Sequence, residues 1–169
     1  CSTDKTVDIV KKELSNIKII INKENMGLGY NRNLAIKESK NDLVAAIDAD
    51  VVLDKYWLEK LIIEIEKEIV LMCGGKMNEQ LLENKINVWR AKYYSQNWGE
   101  RMLTNPPFLF GCNTLLTKSV WKKVNGYDEK LKTNGEDIDF IHKIRSQTNS
   151  QIIYQPEAKC YHLQDDNIE

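Results

Sequence analysis

Two carboxylates, Asp48 and Asp50, follow the apolar run 43–47 with a single alanine between them. Such close like charges repel each other, and removing either from water is costly unless a cation or hydrogen bonds compensate. In an extended chain, residues i and i+2 point to the same side, so both carboxylates could bind one divalent ion beyond a strand end. The structural alternative is that Asp50 caps the next helix and Asp48 is solvated. Because Asp54, ahead of Trp57, is the better N-cap candidate, the spacing favours a metal or phosphate site.

A second acidic group, Glu136, Asp137 and Asp139, follows Gly135 at a predicted helix start. Helix dipoles favour acids in a first turn, which is an equally good account of Asp139. Glu136 and Asp137 are better candidates for chemistry, because a carboxylate at a turn beside a metal-bound substrate can take a proton from an attacking hydroxyl. His162, in the last predicted strand, is either a structural hydrogen-bonding residue or a ligand.

Alternating helices and strands must position these residues. The pattern of the first half predicts a helix over 5–16, a strand over 17–21, a helix holding Leu34 and Ile36, a strand over 43–47, a helix over about 55–68 and a strand ending at Gly74 and Gly75. This alternation indicates an α/β fold with a mostly parallel sheet and helices on both faces. Ligands of such folds gather at the carboxyl ends of the strands, where Asp48 and Asp50 fall.

The second half continues without a repeat or linker, so we expect one domain over 1–169. Its pattern predicts an amphipathic helix, a strand near 108–116, a helix ending at Asn125 and Gly126, a helix after Gly135 and a final strand. An aromatic cluster could form a ligand-binding platform or the buried face of a helix, and we expect at least two of its members to be core residues. Its members are Trp89, Tyr93, Tyr94 and Trp98.

Composition excludes several classes of protein. The 169 residues are 42% hydrophobic and carry a formal net charge of -1, which is typical of a soluble globular domain and gives no basic excess for nucleic acid. The four cysteines, Cys1, Cys73, Cys112 and Cys160, are widely spaced, which predicts reduced thiols in a cytosolic compartment. No apolar run approaches the length of a membrane span, and no signal peptide opens the chain, although missing sequence could carry an anchor.

Five stretches and a trailing histidine occur in the order seen in family 2 glycosyltransferases of the GT-A fold, and the sequence resembles that family over nearly its whole length. They are STDKTVDIVKKE, NKENMGLGYNRNLAIKES, LVAAIDADVVLDKYWLEKL, FLFGCNTLLTKSVWKKVNGYDEKL, NGEDIDF and the trailing His162. The resemblance implies inverting transfer of a sugar from a nucleotide-diphosphate donor to a glycan, lipid or protein acceptor, with Mn²⁺ or Mg²⁺ as cofactor. It implies a donor-binding part at about 1–75 and an acceptor and catalytic part at about 76–169, in which the aromatic cluster could form an acceptor platform. It also implies a cytoplasmic setting, such as the cytoplasmic membrane face, and cell-envelope polysaccharide synthesis.

The same resemblance assigns roles to individual residues. Asp48 and Asp50 match the D-x-D motif, with Asp50 as the direct metal ligand and Asp48 nearer the ribose or sugar. Asp137 matches the catalytic base, Glu136 its acceptor-facing neighbour, and His162 a histidine that completes the metal site in many members.

Two further residues, Arg32 and Asn33, fall where the family faces the donor base or diphosphate. The alternative for Arg32 is a solvated helix residue. The metal assignment is physically reasonable, because a divalent ion held by carboxylates stabilises a leaving diphosphate without protonating it.

The chain departs from the family by starting inside the first conserved turn, without the opening βαβ portion, of which Ser2 and Asp4 could be remnants. We therefore expect exposed apolar surface on the neighbouring strand, and a fragment, a processed chain, or a sheet completed by a partner or by homo-oligomerisation. Activity of the isolated chain is correspondingly open. One alternative function is a catalytically incomplete nucleotide-sugar-binding or assembly module.

A second alternative is a haloacid-dehalogenase-like phosphatase, whose first motif also ends an apolar strand in D-x-D. That class requires a Ser or Thr at the end of a second strand, and the VLMCGG segment offers no hydroxyl.

Overall fold

The computed structural model describes residues 2–166. Within that range the helices are α1 (Thr6–Glu13), α2 (Leu28–Glu38), α3 (Trp57–Ile65), α4 (Lys85–Tyr93), α5 (Lys118–Lys123) and α6 (Glu136–Gln147). The strands are β1 (Leu43–Ile47), β2 (Val51–Leu53), β3 (Val70–Glu79), β4 (Leu103–Thr104), β5 (Asn113–Thr117) and β6 (Gln151–His162).

The strands form one sheet in the order β1-β5-β3-β6-β2, and the short β4 pairs with the first half of β6. β3 and β6 are parallel, and β5 is antiparallel to both β1 and β3, so β1, β3 and β6 share one direction. The predicted α/β sheet with helices is confirmed, but its strands are mixed rather than mostly parallel. The alternation of helices and strands correctly predicts that β1 and β3 run in the same direction. It does not predict that β5, from a later part of the chain, lies between them.

Apolar side chains form two cores because successive strand residues point to opposite faces of the sheet. Leu116, Met72 and Ile152 pack in one core with residues of α2, α5 and α6. Their strand neighbours Leu115 and Cys73 pack in the other core, which contains the buried face of α3. Both faces of the central strands β3, β5 and β6 are therefore covered, and the sheet is a rigid support for the residues at its ends.

The strand predicted over 17–21 is absent, although α1 and α2 form on either side of it. No described strand lies beside this segment to exchange backbone hydrogen bonds, and Ile17, Ile20 and Ile21 are exposed. β1 is the edge strand on that side of the sheet, with Leu43 and Ile47 also exposed. The expected exposed apolar surface is thus present on β1.

Three predicted ends of helices and strands are wrong. β3 does not end at its two glycines but continues to Glu79, with a register shift after Gly75. The strand predicted near 108–116 is β5, which begins only at Asn113. Asp54 is not the N-cap of α3, since the helix begins after Tyr56 and the Asp54 carboxylate accepts the Tyr56 amide hydrogen at 2.9 Å within the preceding turn.

The described cysteines, Cys73, Cys112 and Cys160, are unpaired and buried, as predicted for reduced thiols, while Cys1 lies outside the described residues. Burial raises the pKa of Cys73 and of Cys160 to about 12. Within residues 2–166, no helix has the length and apolar character needed to cross a bilayer.

Candidate functional site

The carboxyl ends of three parallel strands bring the predicted chemistry to one edge of the sheet. Asp48 directly follows β1, Glu79 ends β3 and His162 ends β6. Because β5 runs in the opposite direction, the residues before its first residue, Asn113, reach the same edge, and the Asp48 amide donates to the Cys112 carbonyl at 3.3 Å.

Asp48 and Asp50 do not lie in extended chain, as the spacing argument assumed. Residues 49 and 50 form a turn, in which the Val51 amide donates to the Asp48 carbonyl at 3.2 Å. Both side chains are half exposed, and each has its own partner. Asp48 lies 3.9 Å from Arg32 Nη2, and Asp50 lies 3.3 Å from His162 Nε2. Burial raises the pKa of Asp48, an effect opposed by Arg32.

Asp50 and His162 are joined through their backbones as well as their side chains. Val51 lies opposite His162 in the antiparallel β2–β6 pair, and the Leu163 amide donates to the Asp50 carbonyl at 2.8 Å. The imidazole is buried, and its second nitrogen, Nδ1, lies 3.2 Å from both carboxylate oxygens of Glu79. His162 is therefore held between a half-exposed carboxylate and a buried one.

The helix predicted after Gly135 is present as α6, and its first two acids have different surroundings. Gly135 has φ of 83°, a left-handed conformation that favours glycine before the helix. Glu136 is buried and its Oε1 lies 2.6 Å from Arg32 Nη1. Asp137 is half buried, and its Oδ2 accepts the Gly111 amide hydrogen at 3.1 Å. Glu136, predicted to face an acceptor, is thus turned toward Arg32.

Asp139 takes the structural role that the sequence left open for it. Its carboxylate pairs with Lys143 at 2.9 Å, one turn later on the same helix. This i,i+4 pair accounts for an acid at that position without any role in chemistry.

Arg32 is not the solvated helix residue that one interpretation favoured. Its side chain is 13% exposed, and its guanidinium lies between Asp48 and Glu136. The group also lies 5.7 Å from the centre of the Tyr127 ring. A Cβ atom at Gly111 would overlap the guanidinium, so the glycine makes room for it. Arg32 therefore links the D-x-D turn to the start of α6.

Asn33, the neighbour predicted beside the donor, makes its hydrogen bonds elsewhere. Its amide donates to the Tyr127 carbonyl and to Glu129, each at 2.9 Å, and its oxygen accepts from Trp121 and from the Tyr127 amide. These contacts fasten α2 to residues 121–129, beside a cavity of about 640 Å³. The structure does not bring Asn33 into contact with the carboxylates of the sheet edge.

Sequence reasoning missed Glu79, Arg90 and Gly111. Glu79 was hidden because the strand was predicted to stop at Gly75. Arg90 lies on α4, and its Nη2 is 2.9 Å from Glu79 Oε2. The available signal was the acid four residues after the paired glycines, at the end of a strand long enough to include it.

The predicted aromatic cluster is divided by the structure. Trp89, Tyr93 and Tyr94 are exposed, and the Trp89 ring lies 5.7 Å and 5.2 Å from the two tyrosine rings. Trp98 instead packs against the core and donates to the Phe108 carbonyl at 2.8 Å. Only Trp98 takes the buried role, so the interpretation that at least two of the four are core residues is wrong.

Solved structures share this architecture, although each is less than a quarter identical in sequence. The structure of S. aureus TarS 1-349 in complex with UDP-GlcNAc matches 99% of this chain and 48% of its own, with a TM-score of 0.73 and 20% identity. GalNAc-T7 with UDP, GalNAc and Mn²⁺ matches 94% of this chain and 34% of its own, with a TM-score of 0.72 and 15% identity. A mannosyltransferase from Pyrobaculum calidifontis with GDP-Man and Mn²⁺ matches 98% and 46%, with a TM-score of 0.69 and 15% identity. The fold is therefore the GT-A fold.

Sequence comparison gives the family. The model of glycosyl transferase family 2 matches residues 1–124, and the model described as N-terminal domain of galactosyltransferase matches residues 101–165. The chain belongs to glycosyl transferase family 2, which leaves the phosphatase alternative without support.

Two curated relatives are similar in sequence to this chain. The glucosyl-dolichyl phosphate glucuronosyltransferase of Haloferax volcanii is 24% identical over 163 residues, covering 89% of this chain. An uncharacterized glycosyltransferase of Haemophilus influenzae is 28% identical over 108 residues, covering 62% of this chain. The chain spans 52% and 33% of the lengths of these two relatives.

Proposed function

We propose that this chain binds a nucleotide-diphosphate sugar and transfers the sugar, with inversion, to an acceptor hydroxyl in a reaction that depends on a divalent metal. The observation that carries the proposal is the pairing of Asp50 with His162 on the sheet edge that also bears Asp48. The Gly111 hydrogen bond ties the Asp137 carboxylate to the segment that precedes β5 at that edge. Family membership and the nucleotide sugars bound in GT-A structures support the donor class.

The donor set of Asp50 and His162 fits a divalent ion. Their facing atoms are 3.3 Å apart, and cis ligands of an octahedral ion with bonds of about 2.1 Å lie about 3.0 Å apart. Residues 2–166 contain no group of three or more metal-binding side chains, which suits an ion completed by substrate phosphates and water. When bound, Mn²⁺ or Mg²⁺ would neutralise the charge that develops on the leaving diphosphate. Asp48 would face the ribose or sugar.

Asp137 would act as the general base. One carboxylate oxygen is fixed by the Gly111 amide, and the other accepts the amide hydrogen of Ile138 at 2.8 Å. These bonds orient the carboxylate while leaving lone pairs to accept the proton of the acceptor hydroxyl. Attack from the face opposite the diphosphate gives inversion in one displacement. Arg32 would hold Glu136 beside this base.

The exposed aromatic rings of α4 would bind a sugar-bearing acceptor. Trp89 and Tyr93 are exposed, and aromatic rings pack against the apolar C–H faces of sugars. Arg90, on the same helix, fastens α4 to Glu79 at the sheet edge. The name of the Haloferax relative, which includes a glucosylated dolichyl phosphate, supports an acceptor that carries a sugar. Activated donors of this kind imply a cytoplasmic reaction.

The decisive experiment measures release of nucleoside diphosphate from UDP-, GDP- and dTDP-sugars with Mn²⁺ or Mg²⁺. Metal-dependent release by the chain, abolished in Asp50→Asn and retained in the matched control Asp54→Asn, would support the proposal and identify the donor. Donor binding without release from either this chain or a version extended upstream would instead support a binding or assembly module. The absence of both donor binding and release would overturn the proposal.

A further inference from the structure

A buried chain of charged groups stands behind the Asp50–His162 pair. His162 Nδ1 lies 3.2 Å from each oxygen of Glu79, and Glu79 Oε2 lies 2.9 Å from Arg90 Nη2. The side chains of His162 and Glu79 are 6% and 5% exposed, so water screens these contacts little. Three separate elements, β6, β3 and α4, therefore meet to hold one imidazole.

Arg90 is itself fixed by the segment that follows β6. Its guanidinium pairs with Asp166 and donates to the Gln164 carbonyl at 2.7 Å. Asn84, which caps α4, and Asn87, in its first turn, both donate side-chain hydrogen bonds to Asp165. Polar side chains of α4 and its N-cap thus bind Glu79 and residues 164–166.

Glu79 determines the role of the imidazole nitrogen that it faces. A carboxylate only accepts hydrogen bonds, so Nδ1 donates to Glu79, and an ion bound between Asp50 and His162 would then take the Nε2 lone pair. Nε2 is the nitrogen that faces Asp50. Carboxylates behind a metal-binding histidine commonly fix the tautomer and ring orientation in this way.

We propose that Glu79 is a positioning residue, held by Arg90, that keeps the His162 Nε2 lone pair directed at the point that Asp50 also faces. The inference rests on the proposed function, in which that point is the binding place of the divalent ion. Glu79 would not touch the ion or the substrate. It acts through His162 alone, and α4 contributes to metal affinity through Arg90.

Titration of Mn²⁺ followed by electron paramagnetic resonance tests this inference without requiring turnover. We expect Glu79→Gln to weaken Mn²⁺ binding by about 10-fold to 100-fold, with UDP or GDP present, because an amide oxygen accepts the Nδ1 hydrogen more weakly than a carboxylate and no longer raises the basicity of the imidazole. Glu64→Gln is the matched control, since Glu64 is an equally buried acid paired with Lys67 and is remote from the sheet edge. An unchanged affinity in Glu79→Gln, or no saturable Mn²⁺ binding by the wild-type chain, would overturn the inference.

The tautomer provides a second measurement, which does not depend on the folding of Glu79→Gln. The chain has two histidines, so His142→Asn isolates the ¹⁵N signals of His162. With saturating Mg²⁺ and UDP or GDP, a proton on Nδ1 and none on Nε2 are expected, and a proton on Nε2 under these conditions would contradict the inference. The outcomes distinguish this inference from the proposed function. If Glu79→Gln weakens Mn²⁺ binding but the chain transfers no sugar, the proposed function fails and this inference stands. If Asp50→Asn abolishes transfer but Glu79→Gln does not change Mn²⁺ binding, only this inference fails.

Discussion

Arg32 and Glu136, 104 residues apart in the sequence, form a buried ion pair with 2.6 Å between Nη1 and Oε1. The pair connects α2 with the first turn of α6. Since Arg32 Nη2 also approaches Asp48, it relates the two acidic motifs to each other. A displacement of this side chain would therefore disturb both.

Breaking this ion pair should destabilise the fold. Arg32→Met leaves the carboxylate of Glu136 buried without a partner, and we expect a loss of about 3 kcal/mol in the free energy of unfolding. The double variant Arg32→Met with Glu136→Gln removes the buried charge and should recover most of that loss. Urea denaturation measures both. A single variant that loses less than about 1 kcal/mol would show that the pair contributes little.

The sequence predicted those parts of the site that depend on local order. The apolar run of β1 followed by Asp48, the glycine before α6, and the strand that ends at His162 can each be identified from a few neighbouring residues. The roles of Arg32 and Glu79 could not, because each depends on partners from distant elements. Residues 17–21 show the converse, since their β-branched pattern needs a neighbouring strand before it can form one.

Asp137 should be required for transfer and dispensable for donor binding. Asp137→Asn preserves the shape and can still accept the Gly111 hydrogen bond, but an amide cannot take a proton. We expect the transfer rate to fall about 10²-fold to 10⁴-fold, while donor affinity measured by calorimetry stays the same. Asp139→Asn is the control on the same helix turn, since its carboxylate pairs only with Lys143. Comparable rates in the two variants would exclude Asp137 as the base.

A side chain at Gly111 should displace the Arg32 guanidinium. A Cβ atom there would overlap the Arg32 guanidinium, and the resulting shift would move the amide that holds Asp137. We expect Gly111→Ala to lower transfer activity and to cost about 1–3 kcal/mol of stability. Gly99→Ala is the comparison, because no atom lies within 4 Å of its Cβ and only its φ of 87° opposes the change. Its stability should fall by about 1 kcal/mol with activity retained, and equal losses of activity would contradict the role of Gly111.

The buried thiols should be inert in the native protein. Thiolates are the reactive form, and burial raises the pKa of Cys73 and Cys160 to about 12, so both stay protonated at about pH 8. A Cys1→Ser variant, which removes the undescribed cysteine, should react slowly with a disulfide reagent when folded and rapidly in concentrated guanidinium. Because the pKa of Cys73 and of Cys160 is higher in the folded state than in the unfolded state, the free energy of unfolding should fall as pH rises past the unfolded pKa of about 8.5. Fast native labelling would show that the cores open readily.

Substitution by alanine should lower stability at Trp98 and acceptor binding at Trp89. Trp98 packs between Phe108 and the core and donates a hydrogen bond, so Trp98→Ala should cost about 3–5 kcal/mol in urea denaturation. The Trp89 side chain is largely in water, and Trp89→Ala should change stability by about 0.5 kcal/mol or less. Its effect should appear instead as a raised KM for a sugar-bearing acceptor, with the KM for the donor unchanged, because its ring is free to contact a ligand. An unaltered acceptor KM in Trp89→Ala and in Tyr93→Ala would assign the acceptor to another surface and leave the donor site unaffected.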